Sequence, residues 1–266
     1  MIKENKKLET EKEIQNQITV IDEIDFQEDA GLGFENATSD SFAQPILQLL
    51  QPLSKVCMAE NKPANAAPGK IYNNLQNECY DFVDVIMCHF ETQYVEWLIQ
   101  NEQYTFVQAH DFKPSSAKYD KVKRGVFLPN GNTLIEKRDH YVLVVDDGKF
   151  YPALISMSSS QIKTSKMWMT RNLYDRVQRV VKNGIVRNVN GAVFSVIYRL
   201  SAKRQENGKH TWYGWNIDKS PVTLTKEYYS AAKQFYQQCK TMPSKTNQTY
   251  EPPVKEAVAD FEDVGM

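Results

Sequence analysis

Two glycine-containing pairs constrain this chain more than anything else in it. Asp147-Gly148 stands between "YVLVV" and "FYPALISMS", and Asn207-Gly208 between "AVFSVIYRLSAKR" and "HTWYGWNI". Asp-Gly and Asn-Gly between apolar, β-branched runs are strong hairpin signals, because both residues tolerate the positive φ that a two-residue turn requires. Hairpins this closely spaced leave no length for helical crossovers. "ECYDFVDVIMCHFETQYVEWLIQ" adds a further aromatic and β-branched run. From residue 70 onward the pattern therefore predicts an antiparallel barrel or sandwich, α+β and β-rich in class.

Two helices are expected inside this framework. In "SQIKTSKMWMTRNLYDRVQRVVKNG", Met169, Leu173, Val177 and Val180 keep a spacing of three to four. That spacing predicts a helix with these residues on its inner face, Arg171, Arg179 and Lys182 opposite, and Gly184 as its stop. The second helix is "TKEYYSAAKQFYQQCK", with Thr225 as its N-cap. Before residue 70, Pro45 opens the apolar "PILQLLQ", and "AENKPANAAPG" reads as loop.

Charge divides the chain into three parts. Residues 1–40 hold 4 Lys/Arg against 11 Asp/Glu, residues 111–215 hold 19 against 8, and residues 251–266 hold 1 against 5. The expected organisation is a flexible acidic arm over 1–28, one domain over 29–241, and an extended acidic tail over 242–266. A basic middle between acidic ends points to a polyanion partner. No run approaches a membrane span, and the polar N-terminus lacks the apolar core of a signal peptide, so a cytoplasmic setting is expected.

Catalytic and metal signatures are weak. Cys57, Cys79, Cys88 and Cys239 form no CxxC pair, and the four histidines are scattered, so no metal or other cofactor is expected. "APGKI" lacks the frame of a phosphate loop, and Ser158–Ser160 lack that of a nucleophile elbow. The expectation is a protein that is not an enzyme.

Aromatic residues interleaved with cations carry more. "KHTWYGW" brings together Lys209, Trp212, Tyr213 and Trp215, and "YRLSAKR" brings Arg199, Lys203 and Arg204 onto the paired strand. "KTSKMWMTR" supplies Lys163, Lys166, Trp168 and Arg171, and "YVEW" supplies Tyr94 and Trp97. Rings that stack bases and cations that follow phosphates are what single-strand binding needs without sequence preference. The competing fate of each Trp is the core. Asp260, Phe261, Glu262 and Asp263 in the tail would imitate nucleic acid within the basic groove. Once displaced, they would offer Phe261 to a protein partner.

An entry block is formed by Gly31, Gly33, Phe34, Glu35, Asp40, Pro45, Leu49, Leu50, Gln51, Leu53 and Ser54. Pro68, Gly69, Ile71, Tyr72 and Asn73 follow, and then "YVEW", "HYVLVV", "LISMSSSQIKTSKMW" and "VFSVIYRLSAKRQENGKHTWYGW" in order. Together these blocks resemble a family of phage-encoded single-stranded DNA-binding proteins, with Pro52 and Lys55 departing from the pattern. The resemblance covers roughly residues 31–240. It implies an OB-like barrel, an accessory role in replication or recombination, and protein partners recruited through the acidic tail, with homo-oligomerisation open. A contrasting expectation is an assembly protein whose basic face meets an acidic protein.

Overall fold

The computed structural model describes residues 43, 45–101, 103–182, 185–207 and 211–241, with the backbone alone for 178–182. The expected N-terminal arm, the loop at "GLGFENATSD", Gly184, Gly208, Lys209 and the tail lie outside the described residues.

The spine is a pair of long antiparallel strands, β4 (Phe82–Gln100) and β8 (Thr133–Asp146). One flank of β4 takes β12 (Ile197–Glu206) on its first third and β5 (Gln103–His110) on its last. The far flank of β8 takes β9 (Lys149–Ser158) and, at its start, β7 (Gly125–Phe127), which pairs with β6 (Lys118–Asp120). β13 (Thr211–Lys219) closes on β12. The result is one eight-stranded antiparallel sheet, curled into a half-barrel whose strand order runs from β13 to β6. The β-rich class read from the hairpins is the class observed. Asp147 and Gly148 join β8 to β9 with φ of 38° and 82°, the positive pair that such a turn requires.

"FVDVIMC" is buried almost throughout because both faces of the sheet are covered here. Val83, Val85 and Met87 point to one face. There they meet Leu47 of β1 (Leu47–Leu49), Ile71 of β2 (Ile71–Asn73), and Trp168 of α2 (Ile162–Asp175). β3 (Glu78–Tyr80) completes the small β1-β2-β3 sheet, and the short α1 (Lys55–Met58) lies between β1 and β2. Ile86 and Cys88 point to the other face, against Tyr228, Ala232, Phe235 and Cys239 of α3 (Lys226–Thr241). Thr225 caps α3 as expected, its Oγ1 accepting the Tyr228 N–H at 3.2 Å.

The first expected helix is corrected. α2 ends at Asp175, and its buried residues are Ser165, Trp168 and Asn172, while Leu173 is 56% exposed. Val177 and Val180 belong instead to β10 (Val177–Lys182), which pairs with β11 (Ile185–Asn190) as an isolated ribbon. "VVKNGIVR" holds an Asn-Gly pair between β-branched residues, the same signal that marks the other two hairpins. β-branched side chains lose rotamer freedom in a helix and fit a strand.

The β13 edge is closed by side chains. The Gln51 amide donates to the Tyr213 carbonyl at 2.8 Å and accepts the Tyr213 N–H at 2.9 Å. Gln161 accepts the Trp215 N–H at 3.1 Å, and Arg171 donates to the Ile217 carbonyl at 2.6 Å. Three alternate residues of an edge strand thus spend their backbone groups on side chains, which blocks pairing with another chain.

Candidate nucleic-acid interface

The tryptophans expected to stack bases are mostly core. Trp168, Trp97 and Trp215 are 1%, 4% and 6% exposed. Trp168 stacks on His140 with ring centroids 4.6 Å apart, and burial pushes the His140 pKa down to about 3, so this imidazole is neutral. Its Nε2 meets the Ser165 Oγ at 2.9 Å, both residues fully buried. Extracting such a ring would forfeit roughly 3 kcal/mol of burial. Stacking a base returns only about 1–3 kcal/mol. The core is therefore where these rings stay. Trp212 is half-buried, and the Tyr213 ring fills the space beside Gly69, where a Cβ would lie 2.7 Å away.

The expected cations separate into two groups. Arg199 holds Asp84 through two bonds of 3.0 and 2.7 Å and lies 4.0 Å over the Phe82 ring, so it clamps β12 to β4. Arg171 is held by the Ile217 carbonyl, Asp175 and Asp218. Neither is spare for phosphate. Lys163, Lys166 and Lys203 are exposed and make no side-chain hydrogen bond or ion pair among the described residues. Arg204 is exposed and meets Glu206 at 3.0 Å. Tyr94 is half-buried in β4, with burial raising its hydroxyl pKa.

A second basic-aromatic surface escaped the sequence reading. Register aligns Lys118, Phe127, Thr133, Trp97 and Phe106 in one row across β6, β7, β8, β4 and β5. Trp97 forms its floor, with Phe106 and Tyr104 edge-on at 6.0 and 6.1 Å. Phe106 is 41% exposed, and Lys123 sits 5.2 Å over Phe127. Between and beyond these strands, Phe112 and Tyr119 are exposed at 85% and 62%, among Lys113, Lys118, Lys121 and Lys123. Of the two acids in this stretch, Asp111 is exposed beside Phe112, and Asp120 is occupied by the N–H groups of Val122 and Lys123, which hold its carboxyl below the ordinary range. The available signal was "DFKPSSAKYDKVKRG", five cations around two rings without a tryptophan.

One buried acid fixes this end of the sheet. Glu96, 2% exposed, accepts from Asn130 and Asn132 on one oxygen at 2.9 and 2.6 Å. Its other oxygen meets Gln108 and His110 at 2.9 and 3.0 Å. Burial pushes its pKa up, but the four hydrogen bonds win and hold it at about 2. The carboxylate thereby ties β4, β5 and the β7–β8 loop together under the aromatic row.

Among the described residues no three His, Cys, Asp or Glu are grouped to hold a metal, and no helix is long and apolar enough to cross a membrane. The fold and surface define a β-rich protein with a curled antiparallel sheet and a basic-aromatic end. The chain belongs to the family described as Pam3 phage gp34-like protein, whose model matches residues 12–245. It matches no curated protein and no solved structure.

Proposed function

We propose that this protein binds single-stranded DNA without strong sequence preference, as an accessory of phage replication or recombination. The observation that carries the reading is the pair of exposed rings Phe106 and Phe112 beside the row of Phe127 and Trp97, set among lysines. Exposed rings accept any base, and lysines neutralise the phosphates between them. Lys163, Lys166, Lys203 and Arg204 extend the positive surface available to a longer strand. In this reading the curled sheet takes the part of an OB-type barrel. The tail, through Asp260, Phe261, Glu262 and Asp263, competes for the basic surface and recruits partner proteins.

The test is anisotropy titration of the full chain with oligo-dT and with a duplex, alongside the variants Phe106→Ala and Phe112→Ala. Stacking is worth about 1–3 kcal/mol per base, so each substitution should weaken oligo-dT binding by roughly five- to a hundredfold. Unchanged affinity in both variants, or equal wild-type affinity for duplex and single strand, would refute the stacking surface.

A further inference from the structure

We propose that the β10–β11 ribbon is a second nucleic-acid contact, a cationic arm that grips the sugar–phosphate backbone and takes duplex as well as single strands. This rests on the nucleic-acid reading above but uses a different surface and a different chemistry. The two strands pair only with each other, from Val177↔Asn190 to Lys182↔Ile185. Every residue of β11 is exposed. The base is firm: the Arg176 N–H bonds the Asn172 carbonyl at 3.1 Å, so the ribbon leaves directly from α2. The Gly191 N–H closes onto the Arg176 carbonyl at 2.9 Å, and a Cβ on Gly191 would lie 2.4 Å from the Ser195 Oγ.

Composition decides the occupant. Residues 177–190 contain Arg179, Lys182 and Arg187 and no acid, and the next acid after Asp175 is Glu206. Arg187 is exposed and makes no ion pair among the described residues. A ribbon whose sequence holds three cations and no acid is complementary to a polyanion, and a two-stranded β-ribbon is of a size that the DNA major groove admits. Backbone register sets Val181 against Val186 and Gln178 against Val189. No aromatic residue lies in 177–190, so the arm has nothing to stack on a base. Its contacts are with phosphate, and phosphate contacts do not separate single strands from duplex. The protein thereby divides its affinity. β5–β7 stacks bases, and the ribbon contributes a salt-sensitive grip that is blind to strandedness.

The experiment uses the full chain and the triple variant Arg179→Gln, Lys182→Gln, Arg187→Gln. Affinity for oligo-dT and for a random-sequence duplex is measured across a salt series, with intrinsic fluorescence and light-scattering mass recorded in parallel. With about 0.7–0.9 counterions released per phosphate contact, the slope of log K against log salt should become shallower by roughly 2–3 on both probes. Quenching at saturating oligo-dT and the mass should stay as in the wild type. Unchanged slopes on both probes would overturn the proposal. So would a fall in mass, which would make the ribbon a contact between copies. Wild-type duplex binding that loses its slope in the triple variant, with Phe106→Ala and Phe112→Ala silent, would uphold the arm and sink the stacking surface. Wild-type binding to neither probe would sink both.

Discussion

Replacing Glu96 by Gln tests what holds the aromatic row in place. The side chain keeps its shape, but one oxygen becomes an NH2 group facing two donors. The new amide has two ways to turn. Toward Asn130 and Asn132 it would leave the buried Asn132 amide without its 2.6 Å acceptor. Toward Gln108 and His110 it meets an exposed amide that can rotate and a half-buried ring that can change tautomer. The second is cheaper, and the net loss is of charge-assisted bonds rather than of a stranded donor. At about 1–3 kcal/mol per such loss, the destabilisation should be about 2 kcal/mol. It should carry a pH signature. The folded pKa lies at about 2, below the ordinary 4.5. The carboxylate's contribution is therefore complete above about 4.5 and is lost as the pH falls toward about 2. The stability gap between wild type and variant should close over that interval. Urea unfolding read by tryptophan emission, repeated between neutral and acid pH, measures both quantities. A gap under about 0.5 kcal/mol at neutral pH, or one that does not narrow in acid, would refute the role given to Glu96.

Two further predictions follow from the edge strand and from the tail. Gln161→Ala removes the bond to the Trp215 N–H and should cost about 1 kcal/mol while opening the β13 edge. Light scattering should then show concentration-dependent association, and a monodisperse variant of wild-type stability would refute the edge-closing role. Deleting residues 256–266 removes Glu256, Asp260, Glu262 and Asp263, and should tighten oligo-dT binding at low salt. Unchanged affinity there would show that the tail does not compete.

Local chemistry was legible wherever a short stretch decides the outcome. Asp147-Gly148 announced its hairpin because two consecutive positive φ values suit few residue pairs, and Thr225 announced a helix start because its hydroxyl reaches an amide three residues on. Helix α2 was misread at its end because Val177 and Val180 continue the three-to-four spacing while β-branched residues also suit a strand, and periodicity alone does not arbitrate over so short a run. The aromatic row could not be read at all. Phe127, Trp97 and Phe106 come from three strands, and only register sets them side by side.

The sequence by itself determined the β-rich class, two of the hairpins, the α3 cap and the acid-base-acid distribution of charge, all of which depend on neighbours along the chain. Tertiary structure alone decided which rings and cations are spare. Trp168 and Arg199 look like ligand-binding residues in the sequence, yet one is stacked on a neutral buried histidine and the other is clamped to Asp84 across two strands. A side chain's availability is what remains after packing and ion pairing have been satisfied, and those partners are remote in sequence: Arg199 and Asp84 stand 115 residues apart.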